Sequence, residues 1–600
     1  MNPLFLGVAR SELGRPWRQR LSGPGLALAE SLVQVEGLPD TLARVLAARG
    51  VAGPDLQAFL EPRLRDLMPD PSVLVDMEPC VARLVRAVKA GESVAIFGDY
   101  DVDGACSAAL LARYLQVAGA RPRVHIPDRL IEGYGPNGEA IRMLAGEGAT
   151  LLVTVDCGTT SHEVLAEAMR NGMDVLVLDH HQAPVALPNV TALVNPNRQD
   201  DLSGLGHLCA AGVVFMVLAG LARALRACGH WGGQSGPDLL GELDLVALAT
   251  VADVAPLIGL NRAFVRQGLA VARQRTRPGL AALMDVSGLN GPLEAWHFGF
   301  LIGPRINAGG RIGDASLGAR LLMLDDEIGA RDIAVQLNDL NRDRQEIERA
   351  AVEEAVAEVD ASLQRSPEQP VIVAASPGWH PGIVGLVASR LKERFRRPAF
   401  AFALDESGGG TGSGRSVIGV DLGRSVRTAA EGGIIVKGGG HAMAAGATLQ
   451  TGGLEAFRAF MTHALKQAVD DANANDGLFI DGSLTAASVT PRLVAELASA
   501  GPFGSGSPEP TFVFGQHRII DARIVGSGGH VRVKIKAGDG TVANGVAFRA
   551  ADQPLGQALM ALRGEPAHVA ATLSVDRWGG GERAELRVQD VAKAASAGRS

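Results

Sequence analysis

The sequence predicts an α/β protein in which two α/β domains are joined by a long helix lying along a cleft, with a small β-rich domain at the C-terminal end. Three observations predict it. Between 93 and 196 short apolar runs alternate with amphipathic stretches, the pattern of a parallel sheet covered by helices on both faces. A charged, unbroken helical stretch at 325–364 is followed by a second such unit that starts at PVIVAAS, 370–376. Beyond 478 short strands recur at regular spacing with Gly and Pro between them, which marks a small barrel or sandwich.

In chain order, residues 1–70 read as a helical extension, carried by LPDTLARVLAARG and DLQAFLEPRL. The first α/β domain follows over 71–324, with strands SVAIF, RVHIP, LLVTVD, DVLVLD and ALVNP and helices between them. In such sheets ligands sit beyond the carboxyl ends of the strands, so the residues that end each run are where chemistry is expected. A mostly helical part from about 205 to 290 completes the domain. The connecting helix, 325–365, keeps near-helical spacing of apolar residues at Ile333, Leu337, Leu340, Ile347 and Val352. The second α/β domain, 366–469, contains GGGTGSGRS and KGGGHAMAAG, which read as glycine-rich loops that bring backbone close to a ligand or make tight turns. DDANANDG at 470–477 reads as a linker, and 475–600 forms the β-rich domain.

Six hundred residues imply several hydrophobic cores. Five cysteines, an odd count with no CxxC pair, fit a reducing compartment better than a disulfide framework and show no zinc-ribbon spacing. No basic segment followed by a long apolar run is seen near the start, so a cytoplasmic protein is expected. The longest uncharged run, 208–222, falls short of the roughly 18 residues of a membrane span and reads as a buried helix. A net charge of −8 argues against a generally basic coat but leaves a local basic groove open.

GDYDVDG at 98–104 places Asp99, Asp101 and Asp103 at alternate positions straight after a strand. Carboxylates that close repel one another unless a cation sits among them. An EF-hand loop is excluded, because its twelfth position is Leu110 rather than Glu and a strand precedes it. The other strands supply company: LLVTVDCG ends at Asp156, and DVLVLDHH ends at Asp179 with His180 and His181 beyond it. Asp253, closing the apolar helix in LVALATVADVAP, is a candidate bridging ligand. Carboxylates with one or two imidazoles and no thiolate favour Mn²⁺ or Mg²⁺ over structural zinc. Two such ions activate water and neutralise charge on both sides of a phosphoester.

The series GDYDVDG, VDCG, LDHH and VADVAPL resembles the four motifs of the DHH phosphoesterase superfamily, and GGGHAMAAG resembles the GGGH motif of its associated C-terminal domain. With IPDRLIEGYG, GPRINAGGRIGDA, SPGWHPGIVGLVASRL, GSGRS and PFGSGSPEP added, the chain is similar, from about residue 40 onward, to the branch of that superfamily that degrades single-stranded DNA from the 5′ end to mononucleotides in recombination and repair. The resemblance implies two α/β domains (DHH and DHH-associated) joined by a long helix around a cleft, plus a C-terminal OB-like β-barrel. It implies that Asp101, Asp103, Asp156, His180 and Asp253 hold two divalent cations, Mn²⁺ or Mg²⁺, with Asp99 and His181 beside them in the catalytic group. DNA-gripping residues would fall on Arg129, Arg305 or Arg311, Ser413, Arg415 and His441. Single-stranded DNA is then the substrate, a helicase and a single-strand-binding protein the expected helpers, no membrane is involved, and the chain works as a monomer. One departure is Ser507, where the family pattern leads us to expect Asn.

A nucleic-acid substrate also has independent support. In HVRVKIKA, Arg532, Lys534 and Lys536 alternate with apolar Val531, Val533 and Ile535, so one strand face is a basic row that can track a phosphate backbone or be ordinary solvated surface. Stacking candidates are few: Tyr100, Tyr134, Trp379 and the phenylalanines of the terminal domain, residues more often found in a core. The alternatives are a small-phosphoester hydrolase, which needs neither the long helix nor the β-rich domain, and a DNA-binding scaffold that has lost its metals, which the intact carboxylates oppose.

Overall fold

The computed structural model describes residues 2–129, 131–526, 528–576 and 581–594. The chain divides into two units, one of residues 68–474 and one in which 1–67 joins 475–600. Strand β1 (Trp17–Gln19) and the helices Gly23–Glu36 and Asp40–Ala47 open the chain and belong to the latter.

In unit 68–474 the first sheet has five parallel strands, β2 (Ser93–Gly98), β3 (Arg121–His125), β4 (Leu151–Val155), β5 (Asp174–Leu178) and β6 (Ala192–Val194), in the order β3-β2-β4-β5-β6. All five residues of β4 are buried, as a strand covered on both faces requires. From β2 the chain steps to β3 and then crosses back past β2 to β4. With right-handed crossovers the helix after β2 (Val102–Ala118) and the helices after β3 and β4 (Gly138–Gly146 and His162–Arg170) cover opposite faces. Ile141, Leu144, Leu165 and Ala168 pack on Phe97, Val175 and Val177 on one of them. The loops leaving β2 and β4 therefore diverge and open a crevice at the carboxyl edge.

The helix Ala210–Ala227 is long and apolar enough to cross a membrane by length and composition, but 67% of it is buried inside the protein. It packs against the Val102–Ala118 and Met77–Ala90 helices as a core element.

The connecting helix runs unbroken over Glu327–Arg365, 39 residues, or about 58 Å at 1.5 Å per residue. Asp326 caps it by accepting the Gly329 N–H at 2.7 Å. Its buried face differs from the expected apolar line. Of Ile333, Leu337, Leu340, Ile347 and Val352 only Leu337 is fully buried, and Ile347 is 38% exposed. Small Ala330, Ala334, Ala351 and Ala355 occupy the face instead, with polar Asn341, Arg344 and Glu348 at its middle. Alanines let a helix lie close to neighbours: the first half touches the Pro278–Val286 and Gly303–Ile312 helices, the second the Val384–Phe395 helix and the second sheet.

That second sheet comprises β7 (Ile372–Ser376), β8 (Ala399–Leu404), β9 (Gly410–Arg415), β10 (Lys437–Gly440) and β11 (Ala444–Leu449), in the order β10-β11-β9-β8-β7. Two of its strands, β9 and β10, lie in the stretches expected to be loops. The reason is packing. Gly412 and Gly414 pair with Phe402 and Phe400 of β8, and a Cβ at either would stand 2.2 or 2.4 Å from the facing ring. The glycines let two aromatic side chains fold over the backbone.

The other unit contains β12 (Leu478–Ile480), β13 (Gly482–Leu484), β14 (Phe512–Val525), β15 (His530–Lys536), β16 (Val542–Ala547), β17 (Pro566–Asp576) and β18 (Arg583–Lys593), the last five of which build a barrel. Its five strands run β14-β15-β16-β18-β17 and close through β17–β14, with β13 alongside β14. Residues 1–67 are part of this unit and are more than helical: β1 pairs in parallel with β12. Trp17 is fully buried and donates its indole N–H to Asp590 at 3.1 Å, while Leu32 and Leu46 share a core with Phe512 and Phe514.

Candidate active site

The acidic loop after β2 opens the Val102–Ala118 helix. Asp101 is its N-cap and accepts the N–H groups of Asp103 at 2.9 Å and Gly104 at 3.1 Å. Gly104 has no alternative, since a Cβ there would stand 2.3 Å from the Asp99 carbonyl oxygen. Asp103 is buried and accepts the N–H groups of Ala210 at 2.6 Å and Ala211 at 2.8 Å, the first turn of a second helix. The positive ends of two helices thus hold two adjacent carboxylates.

Asp156 ends β4 in the left-handed region, φ +61°, with its Oδ1 buried and without a hydrogen-bond partner. Asp99 Oδ1 is likewise buried and unpartnered. His180 Nε2 lies 3.2 Å from Asp156 Oδ1, 3.6 Å from Asp103 Oδ2 and 3.8 Å from Asp253 Oδ2. Val254, directly after Asp253, has φ +58°, an outlier for a β-branched residue.

Among the described residues three groups could each hold a cation, their donor atoms within 4.8 Å of one another: Asp99, Asp101 and Asp156; Asp156, His180 and His181; and Asp103, His180 and Asp253. The shared positions are Asp156 and His180, whereas Asp253 joins one group only. Burial, and then the neighbouring carboxylates, push the carboxyls of Asp156, Asp99 and Asp253 well above the usual range. Orphaned buried oxygens, mutual repulsion and a hard oxygen and imidazole donor set all fit divalent cations.

A hydrogen-bonded frame holds the two histidines. Asp179 accepts from Thr159 N–H and hydroxyl, from His180 and His181 N–H, and from His181 Nδ1 at 2.8 Å. Burial opposes its charge, but these donors, His181 first, bring its carboxyl well below the usual range. Burial likewise opposes charge on His181, yet the Asp179 hydrogen bond and surrounding carboxylates raise it to about 9. Asn195 donates to the His181 carbonyl at 2.9 Å and Asn197 to the His180 carbonyl at 2.6 Å. Nothing in the sequence pattern singled out Thr159, Asn195 or Asn197: Thr159 acts on the Asp179 carboxylate and the two asparagines on backbone carbonyls. Tyr134 Oη stands 3.4 Å from His181 Nε2.

Across the crevice the second sheet supplies Arg415 of β9 and, directly after β10, His441; Arg129 comes from the segment after β3 and Arg311 from the Gly303–Ile312 helix. His441 stacks on His181, centroids 5.6 Å apart. Burial, with His181 and His180 nearby, lowers its pKa. Arg415 of β9 donates to Ser413 Oγ at 2.7 Å, Arg129 lies over the Tyr100 ring at 5.3 Å, and Arg311 donates to the Gly382 carbonyl at 3.0 Å. Burial and the charges of Arg129, Arg415 and Arg344 hold the Arg311 guanidinium down to about 10. An anion among these guanidiniums would relieve their repulsion.

The structure therefore brings together Asp99, Asp101, Asp103, Asp156, His180, His181, Asp253, His441 and the Arg129–Arg311–Arg415 group with Ser413. Between the two expected alternatives, Arg311 joins that group; Arg305 is bound instead to Asn338 Oδ1 at 3.0 Å and the Leu301 carbonyl at 2.7 Å. Arg344, on the connecting helix, adds charge near Arg311 but is itself bound to Glu348 and Asn341. Trp379 is 5% exposed and donates to Glu354, so it offers no stacking face. Arg532, Lys534 and Lys536 lie on the barrel in the other unit, alternating with fully buried Val531, Val533 and Ile535.

Residues 93–250 match the DHH family N-terminal domain, 368–467 the DHHA1 domain and 480–590 the RecJ OB domain. The single-stranded-DNA-specific exonuclease RecJ of Dickeya dadantii is 38% identical over 523 residues, 86% of this chain and 90% of that protein. The chain belongs to the RecJ family. RecJ of Escherichia coli is 36% identical over 85% of this chain and 89% of its own. The crystal structure of RecJ from Thermus thermophilus in complex with Mn²⁺ matches with a TM-score of 0.77 at 31% identity, covering 97% of this chain and 80% of that one. A Mg²⁺ complex of the same RecJ matches at 0.74, and RecJ-family membership accords with the donor set described above.

Proposed function

We propose that the protein is a metal-dependent exonuclease that hydrolyses single-stranded DNA from the 5′ end to mononucleotides. The observation that carries this reading is the contact between His181 and His441, which sets the carboxylate cluster and the guanidinium cluster against one crevice. Asp101, Asp103, Asp156, His180 and Asp253, with Asp99 beside them, would hold two divalent cations. When bound, these supply Lewis acidity that activates water and neutralises charge developing on the phosphodiester. The chain's own residues do the rest. Arg129, Arg311, Arg415 and Ser413 bind the terminal 5′ phosphate and so fix which phosphodiester lies over the carboxylates. Asp179 keeps His181 protonated at Nδ1 and turns Nε2 toward the crevice, where with His441 it can donate to a phosphate oxygen. Polarity follows from the phosphate pocket, because only a 5′ terminus fills it.

An enzyme of free strands needs a source of them, so a helicase and a single-strand-binding protein are its expected partners, and the protein acts as a monomer in DNA recombination and repair. Four buried, unpaired cysteines, Cys80, Cys106, Cys157 and Cys209, suit the cytoplasm.

The test is a time course on single-stranded DNA labelled at either end, with Mn²⁺, with Mg²⁺ and with chelator. Immediate, metal-dependent release of mononucleotide from the 5′ label is the expected result. Retained binding without cleavage in either metal would make the protein a scaffold, and early release from the 3′ label would reverse the polarity.

A further inference from the structure

The helical run from Phe298 to Ile312 flanks the candidate metal centre along its length. Its first five residues, Phe298–Ile302, form a π-helical turn, a rare device that re-aims side chains and is frequent at functional sites. A Cβ on Gly299 would meet Val251, one on Gly303 would meet Ala252 and Val102, and one on Gly310 would stand 2.7 Å from the Tyr100 carbonyl oxygen. The glycine face thus passes from the Asp253 end of the site to the Asp99–Asp101 end.

A second face is formed by Phe300, Pro304, Asn307 and Arg311, spaced by four, three and four residues. Phe300 is 76% exposed, an unusual placement for a large aromatic, while Pro304, Asn307 and Arg311 are half-buried. Arg311, at the far end, belongs to the guanidinium group. Eleven residues at 1.5 Å separate the two ends by about 16 Å. Val254, 67% exposed, adds apolar surface directly beyond Asp253.

We infer that this face is the track of the leading nucleotides and that Phe300 is a base-stacking platform for the strand downstream of the scissile phosphodiester. The inference rests on the proposed exonuclease activity. Its physical grounds are continuity and chemistry. The track begins at cations that suit a terminal phosphate, passes the carboxylate cluster, and ends on an aromatic face open to solvent. Base–aromatic stacking is sequence-tolerant and therefore suits an enzyme that must digest any strand. Of the stacking candidates seen in the sequence, Trp379 is enclosed, Tyr100 is covered by Arg129 and Tyr134 stands against His181 at the catalytic group, so Phe300 supplies an aromatic face beyond that group.

The test compares wild type, Phe300→Ala and Phe300→Trp on a 5′-phosphorylated strand of about twelve nucleotides and on a 5′-phosphorylated dinucleotide. Stacking strengths predict that Phe300→Ala raises KM and the dissociation constant for the longer strand about ten-fold. It should leave kcat, dinucleotide hydrolysis, Mn²⁺ affinity and the melting temperature unchanged, and Phe300→Trp should retain wild-type affinity. A 2-aminopurine base carried near the third position should be quenched by wild type and by Phe300→Trp and not by Phe300→Ala. Wild-type affinity of Phe300→Ala for the longer strand, or equal loss on both substrates, overturns the inference while leaving the exonuclease intact. A wild-type protein that neither binds nor cleaves either substrate overturns the functional reading, and this inference with it.

Discussion

His180 Nε2 stands 3.2 Å from Asp156 Oδ1, a buried oxygen with no hydrogen-bond donor of its own. An acceptor so placed is satisfied by a cation when one is bound, because burial otherwise favours the protonated acid. Asp156 is also shared by two of the three donor groups. Asp156→Asn should therefore lower hydrolysis by several orders of magnitude and weaken Mn²⁺ binding while leaving the circular dichroism spectrum unchanged. Near-normal turnover by the folded variant would remove Asp156 from the centre.

The same carboxyl predicts a pH effect on the metal-free protein. The carboxyls of Asp156, Asp99 and Asp253 are raised by burial and by one another, so they bind protons more tightly in the folded than in the unfolded chain. Their contribution to stability is fully present below the ordinary carboxylate value of about 4 and is lost as pH rises through the raised folded values. Asp156→Asn cannot ionise. In chelator it should be more stable than wild type by about 1–3 kcal/mol at alkaline pH, with the gap closing as pH falls toward the ordinary carboxylate range. Saturating Mn²⁺ should reverse the order at alkaline pH. Urea titrations at several pH values read both effects; a gap that widens on acidification would contradict the assignment.

Arg415 offers a different discrimination. Its guanidinium is steadied by Ser413 Oγ and shares a pocket with Arg129 and Arg311. Charge-assisted bonds to phosphate are worth about 1.5–3 kcal/mol, so Arg415→Ala should weaken a 5′-phosphorylated end about ten- to hundred-fold and a 5′-hydroxyl end much less. Competition binding with the two kinds of terminus measures the ratio. Equal weakening of both would place Arg415 outside the phosphate pocket.

What was legible in the sequence follows from where chemistry sits in a parallel sheet. Asp99 to Asp103, Asp156 and His180 end their strands, and strands betray themselves by apolar runs, so the sequence orders these ligands along one edge of the sheet. Asn195 and Asn197 act on the carbonyls of His181 and His180, and a polar side chain that bonds backbone leaves no pattern. The glycine stretches read as loops because their strand character depends on Phe400 and Phe402 lying opposite them, a register visible only across strands. The connecting helix was recognisable, but its buried line was not: alanines and an Asn341–Arg344–Glu348 trio replace the larger apolar residues that spacing favours.

The N-terminal segment sets how the protein can be cut. Trp17 is fully enclosed by the barrel unit, and Leu32 and Leu46 share its core. A fragment ending at residue 474 but keeping residues 1–67 would expose that apolar surface. The expectation is that fragment 68–474 folds, melts cooperatively and still hydrolyses short strands, whereas fragment 1–474 aggregates. Size-exclusion chromatography separates the outcomes; a monodisperse 1–474 would mean that residues 1–67 hold together without the barrel.

On the barrel, β14 and β15 place Arg523 opposite Arg532 and Arg518 opposite Lys536, with Asp521 opposite Lys534. Like charges directly across strands are destabilising by themselves, so two such pairs on one outer face are better explained by an anion that lies along it. A single strand that neutralises Arg532, Lys534 and Lys536 gives up about 0.7 counterions per phosphate. Replacing all three by Gln should flatten the slope of log affinity against log salt by about 2, weaken binding of long strands at low salt, and leave cleavage of a dinucleotide unchanged. The removal of like-charge pairs should also keep or raise the melting temperature. An unchanged salt slope would show that the row is ordinary solvated surface and that the strand is gripped elsewhere.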